Sequence, residues 1–268
     1  MDTALLLVPL LPLIASLLVV AGPDTSWRTR ARFAAIPVGA SFLGSILTLY
    51  LVATQGTIDI RFYDPSTIGA FAFPIGFHID RLSTVMMTLI SGVGTIIYTY
   101  SVSYMYQDPH ERRYLALIGF ATFVLLCMVS SSNLLMLFMF WQLLSYLLYI
   151  LAHNHAHAGT LEGAFRTFTI LRFGDVAFLA GILLAYSLYG TVEFPELFSR
   201  AANSTATISI IPGFELNAAT AVTLLLFIGG MSKSAQFPIF IWLPRSLYAP
   251  TPVHALLHAG IINAGGAA

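Results

Sequence analysis

The chain has 268 residues, of which 57% are hydrophobic and only 9% are Asp, Glu, Lys or Arg, and its twelve basic and twelve acidic side chains cancel. Soluble domains carry roughly 25% charged residues, so this is the composition of a chain that lives mostly in lipid. Zero net charge argues against a nucleic-acid partner, since such binders carry clustered excess positive charge, and the single cysteine, Cys127, excludes a disulfide framework within one chain.

A membrane-spanning helix needs about 20 mostly apolar residues. Taken in order, such stretches occur at 3–21, 33–54, 79–105, 114–131, 133–151, 164–189, 218–244 and 249–268. They predict an all-α, polytopic transmembrane helical bundle of eight helices. The first stretch lacks the basic start of a secretory signal and is followed closely by a second apolar run, so it reads as a retained helix. Its Pro9 and Pro12 are tolerable in a membrane helix, where neighbours satisfy the freed carbonyls. Residues 55–77 and 191–217 are long, turn-rich connections expected to form caps or short strands at one surface. The connections at 130–133 and 245–249 are very short and predict antiparallel neighbours or halves of broken elements. The last apolar run stops at Ala268 without a basic flank, which predicts a fragment of a longer subunit.

With helices alternating in direction, Arg28, Arg30, Arg32, Arg112, Arg113 and Arg245 all fall on one side. The opposite connections hold only Arg61 and Arg200, with Arg81 at the head of the third span. The excess of arginine marks the cytoplasmic face, which places the N-terminus outside, in the periplasm or its equivalent. His153, His155 and His157 share the cytoplasmic side as a solvated tract.

Ionisable residues at bilayer depth are costly and point to function. Lys233, the only lysine, lies about fifteen residues into the seventh stretch, too deep to snorkel to an interface. Gly229 and Gly230 before it and Pro238 after it predict a helix break, the place where transporters expose backbone to ions. Arg172 and Asp175 are three apart on one helical face, and their plain role is a mutual ion pair. His254 and His258 are four apart after Pro250 and Pro252, so both imidazoles face one way as a candidate proton relay. Two ligands without nearby Cys or Glu fall short of a usual zinc set, so neither a metal nor a cofactor is expected in this chain.

These residues sit in longer motifs. Phe77-His78-Ile79-Asp80-Arg81-Leu82-Ser83, Asn133-Leu134 through Phe140-Trp141-Gln142, Arg172-Phe173-Gly174-Asp175-Val176, Ser232-Lys233-Ser234-Ala235-Gln236-Phe237-Pro238 and Pro250-Thr251-Pro252-Val253-His254-Ala255-Leu256-Leu257-His258 resemble the proton-translocating antiporter-like subunits, those of the subunit L type in respiratory complex I and their counterparts in Mrp sodium/proton antiporters. The resemblance covers nearly the whole chain. It implies an N-terminal set of three helices with an outer loop at 55–77, together residues 1–113, followed by an antiporter-like repeat at 114–268 that is incomplete at its C-terminus. It also implies a bacterial inner-membrane location and an inward half-channel in which a glutamate of the fifth helix pairs with a lysine of the broken seventh.

The lysine matches Lys233, and His258 matches the family histidine. The glutamate does not match, because Gln142 follows Trp141 and cannot ionise. Gln142, His254 and the ending Ala259-Gly260-Ile261-Ile262-Asn263-Ala264 look more like the membrane subunit of DAB-type inorganic-carbon accumulation systems, which works with a large soluble zinc protein resembling a β-type carbonic anhydrase. The resemblance thus implies a proton- or sodium-translocating subunit that couples cation flow to bicarbonate or CO2 accumulation and performs no covalent chemistry itself. A component of NADH-quinone oxidoreductase or of a Mrp antiporter, working with other antiporter-like membrane subunits, is the first alternative. A non-conducting assembly scaffold is the second, and retention of a costly buried Lys233 argues against it.

Overall fold

In the computed structural model, which describes residues 5–21, 27–63, 75–106, 108–152, 160–204, 206–211, 214–246, 251–256 and 258, the apolar stretches form helices. These are α1 (Leu7–Val20), α2 (Trp27–Gln55), α3 (Arg81–Tyr104), α4 (Glu111–Val129), α5 (Leu134–Ala152) and α6 (Thr160–Tyr189). The connections predicted to be turn-rich contain two antiparallel hairpins, β1 (Ile58–Tyr63) with β2 (Ile75–Ile79) and β3 (Thr207–Ile211) with β4 (Phe214–Asn217), separated by the short helix α7 (Phe194–Ala202). The seventh stretch is α8 (Ala218–Lys233), a turn, and a 3-10 segment (Ile239–Ser246). Of the eighth, only α9 (Thr251–Leu256) and His258 are described, and the tract of His153, His155 and His157 lies outside the described residues.

Five described helices, 28–55, 81–104, 111–129, 134–152 and 161–189, are long and apolar enough to cross a membrane, and α1 and α8 are shorter apolar helices. The bundle is apolar outside, and its largely apolar core also encloses hydroxyls. Ile36, Leu43, Ile96 and Phe173 are exposed, whereas Ser41, Ser45, Ser91, Ser101 and Ser145 are fully buried. The buried hydroxyls cross between helices: Ser16 donates to Ala116 O (2.8 Å), Ser41 to Val8 O (2.6 Å), and Ser45 and Ser91 share a hydrogen bond of 2.6 Å. Such interhelical bonds contribute on the order of 0.6–2 kcal/mol each in a bilayer, where lipid is as apolar as leucine and hydrophobicity alone does not join helices.

The two ends are built differently. At one, which we term the hairpin end, three connections interlock by backbone: His78 N–H donates to Ser130 O (3.0 Å), Ser132 N–H to Gly76 O (3.2 Å), Leu134 N–H to Val192 O (3.0 Å) and Phe194 N–H to Ser132 O (3.3 Å). Arg61 and Glu193 add an ion pair at 3.0 Å. At the N-terminus of α3, Asp80 accepts from Ser83 N–H at 2.7 Å, so it acts as a cap. Hydrogen bonds from Thr191 and Arg200 hold the Glu196 carboxyl of α7 below its usual range. Its pairing with Arg200 therefore persists as pH falls, until that lowered value is crossed. At the opposite end arginines do the joining. Arg112 donates to Val19 O (3.2 Å) and Val20 O (2.6 Å), and Arg30 to Leu18 O (3.1 Å), which satisfies the last carbonyls of α1. The even-numbered connections thus share one end and the arginine-rich ones the other, as alternating spans require.

Helices α6 and α8 run antiparallel in the closest packing of the bundle. A methyl group added at Gly174 would overlap Ser232 Cβ and Oγ, and one at Gly229 would lie 2.6 Å from the Phe178 ring. Gly229 and Gly230 are therefore not where the helix breaks. They lie inside α8, and Gly229 is small to admit Phe178, as residues at membrane helix crossings commonly are. Of the three residues expected to break the helix, only Pro238 falls in the break.

Gly174→Ala should destabilise the protein by on the order of 1–3 kcal/mol through overpacking. Gly39→Ala, whose methyl would meet only Thr95 Cγ2 at 3.9 Å, should be neutral or mildly stabilising, because Ala favours a helix over Gly by about 1 kcal/mol. Thermal unfolding of the two variants in detergent checks the contrast, and equal melting shifts would refute the close approach of α6 to α8.

Candidate functional site

The site begins where α8 stops. Gln236 N–H donates to Met231 O (3.0 Å) and Ala235 N–H to Ser232 O (3.4 Å), with Ala235 in the left-handed region at φ 49°. This pair of bonds is a Schellman stop, which normally uses glycine at the left-handed position. The stop makes Lys233 the last residue of the helix, about 24 Å from the start of α8 at 1.5 Å per residue. The Trp242 indole N–H, from the 3-10 segment, donates to Ser232 O at 2.9 Å, so a carbonyl near the helix end has a partner without water.

Lys233 is completely buried. Its Nζ donates to Ser145 Oγ on α5 and lies 5.1 Å from the centroid of the Trp141 ring, a cation–π contact. Trp141 stacks at 4.8 Å on Phe178 of α6, and its indole N–H donates to Asp175 Oδ1 at 2.6 Å. Asp175 Oδ2 lies 3.2 Å from Arg172 Nη1, and the same Nη1 donates to Gln142 Oε1. Arg172 also lies 4.2 Å over the Phe168 ring. The result is one connected cluster from α5, α6 and α8 that holds a buried lysine, a buried carboxylate and a part-buried guanidinium.

The predicted residues of this region thus meet directly or through one neighbour. Arg172 and Asp175 form the ion pair expected from their spacing, Gln142 joins them, and Lys233 communicates with Asp175 across Trp141. Gln142 Oε1 accepts from Arg172, whereas the Lys233 ammonium donates to Ser145. His254 and His258 stand apart: their rings are 6.2 Å apart and 26° from parallel, His254 Nε2 is buried without a hydrogen-bond partner, and His258 is exposed. Among the described residues the hydrogen bonds of the lysine cluster include neither histidine. Ser145 and Trp141 were not singled out by the sequence as site residues. A signal existed, since Trp141 and Ser145 are four apart on one face of α5. A cluster of this kind can hold a proton on the lysine, pass it through a hydroxyl and keep a counter-charge one ring away.

The family model for NADH:quinone oxidoreductase/Mrp antiporter, TM, matches residues 131–268, and that for NADH-Ubiquinone oxidoreductase (complex I), chain 5 N-terminus, matches residues 66–115. The chain is 37% identical over 97% of its length to a probable inorganic carbon transporter subunit DabB1 of Halothiobacillus neapolitanus, covering 45% of that protein. It is 32% identical over 98% of its length to NADH-quinone oxidoreductase subunit L of Neisseria meningitidis, covering 40%. The chain therefore spans less than half the length of these curated relatives. A chain in the structure of the membrane-bound sulfane sulfur reductase, an archaeal respiratory membrane complex, superposes with a TM-score of 0.77 over 98% of this chain and 51% of that one, at 20% identity. At that identity it supports the fold alone.

Arg172 touches position 142 and position 175 with one nitrogen, so a carboxylate at either should serve it. Asp175→Asn should destabilise the protein by roughly 1–3 kcal/mol by leaving a part-buried guanidinium without a counter-charge. Adding Gln142→Glu should recover part of that loss, with a coupling of about 0.5–3 kcal/mol in a double-mutant cycle of thermal stability. Additive effects would show that the two positions do not share Arg172.

Proposed function

This chain belongs to the family of membrane subunits shared by NADH:quinone oxidoreductases and Mrp antiporters, and from that premise we propose that it translocates protons, or sodium in their place, through a polar path centred on Lys233. The observation that carries the reading is the complete burial of Lys233 at the stop of α8, with its ammonium on Ser145 and Trp141. A charge kept at that depth has no structural use that an apolar side chain would not serve better. His254 and His258 form the relay on the arginine-rich side, which we assign to the cytoplasm. The N-terminus is then periplasmic and the membrane is a bacterial inner membrane.

We further propose that the cation flow drives accumulation of bicarbonate or CO2 together with a large soluble zinc partner of carbonic-anhydrase type. Support comes from the 37% identity to a probable inorganic carbon transporter subunit and from Gln142 in place of the family's glutamate. The energetics permit it: one charge crossing 100 mV releases about 2.3 kcal/mol, whereas tenfold accumulation of a neutral species needs about 1.4 kcal/mol. A subunit L-like role in a quinone oxidoreductase is the second reading, favoured by the 32% identity to such a protein. Purification from native membranes separates the two, since a soluble zinc protein supports the first and a flavin or iron–sulfur assembly the second.

Lys233→Ala should abolish growth of a carbon-uptake-deficient host at ambient CO2 while the protein remains inserted in the membrane, and full growth would remove Lys233 from the path. His258→Gln should impair the same growth because an amide cannot exchange a proton as imidazole does, and added zinc should not restore it. A metal bound stoichiometrically by the isolated protein and lost in His258→Gln would replace the relay with a metal site.

A further inference from the structure

Two cavities lie against α7. One, of about 280 Å3, carries the polar side chains of His78, Asp80, Ser83 and Ser131 from the hairpin end. The other, of about 290 Å3, reaches Trp141, Gly230, Ser234 and Gln236 at the stop of α8. Leu137, Phe194 and Phe198 line both. Each cavity is several times the ~30 Å3 share of one water, and what separates them is wholly apolar.

We propose that the two cavities are halves of one water route from the hairpin end to Lys233, closed where Leu137, Phe194 and Phe198 meet; the inference rests on Lys233 being a proton carrier. Apolar constrictions of this kind gate channels by excluding water rather than by blocking them with charge. The rings of Phe194 and Phe198 stack at 6.0 Å, one turn apart on α7. Leu197 between them is buried and anchors the helix, whereas Phe198 is 65% exposed, so its ring has room to swing. The backbone of α7 is fixed at both ends, by Glu193 on Arg61 and by Arg200 on Tyr189 O. Opening is therefore a movement of the Phe198 side chain, not of the helix. Past the constriction the Trp141 indole is the last wall, with the Lys233 ammonium against its ring. At the outer mouth stand His78, paired with Asp59 at 2.6 Å, and Asp80. The route gives Lys233 an exchange path toward the hairpin end in addition to the histidine side.

Cysteine accessibility tests the route in vesicles that contain the full-length protein with Cys127→Ala, using a membrane-impermeant cationic thiol reagent. The hairpin-end face is identified as the one from which Glu215→Cys reacts. From that face Met86→Cys, in the outer cavity, should react whatever stands at 198, and unchanged thermal unfolding in detergent confirms that each variant is folded. Ser234→Cys should react slowly, at least tenfold faster with Phe198→Ala, and more slowly with Phe198→Trp. Labelling of Ser234→Cys that is indifferent to residue 198 overturns the proposal. So does labelling by a membrane-permeant reagent alone, which would mean that the inner cavity opens sideways into lipid. Proton flux in the same vesicles keeps the two readings apart, because flux insensitive to Lys233→Ala removes the carrier while the labelling pattern judges the route by itself.

Discussion

A lysine held away from water inside a membrane sets the terms for everything around it. Its ammonium has three donors and no acceptor, so it needs oxygen or π-electron density supplied from other helices. Ser145 and Trp141 of α5 provide these. For α5 and α8 to serve the same ammonium, α6 must lie close to α8, and Gly174 against Ser232 and Gly229 against Phe178 allow that approach. The close packing and the buried charge are therefore one design: enlarging a glycine at the crossing would move the lysine off its partners.

The remaining charges follow from the same logic. Asp175 satisfies the indole N–H that orients the ring facing Lys233, and Arg172 stands 3.2 Å from Asp175 Oδ2 as its counter-charge. A carboxylate on α6 thus acts on the lysine through an aromatic ring, without touching it. Arg172 spans both Asp175 and Gln142, so the amide at 142 is part of the network even though it carries no charge. The guanidinium's fixed N–H donors can serve amide and carboxylate oxygens alike.

Much of this was legible in the sequence, for identifiable reasons. Hydropathy located the spans because lipid imposes a length, and i,i+3 spacing identified the Arg172–Asp175 pair because helical geometry is local. Lys233 stood out because charge at depth is rare. The partners of Lys233 were not legible, since Ser145 lies 88 residues away and the rotation that brings it to the lysine is set by helix crossing. The break at Lys233 was expected, but the residues that make it were misread for a related reason. Gly229 and Gly230 signal a breaker by propensity but serve packing, while Ala235, which takes the left-handed conformation, has no propensity to mark it. The long connections showed their turns but not that α7 would lie over α5 and α8.

The stop after Lys233 has an electrostatic consequence. The peptide dipoles of α8 add along its axis and leave the equivalent of about half a negative charge at its C-terminal end, which is where the ammonium of its last residue begins its reach. In a medium of low permittivity that partial charge is not screened as it would be at a surface. The lysine therefore has a second source of negative potential, fixed in the backbone and unable to titrate. Unlike a carboxylate, the end of the helix contributes that potential at every pH, because peptide dipoles do not titrate.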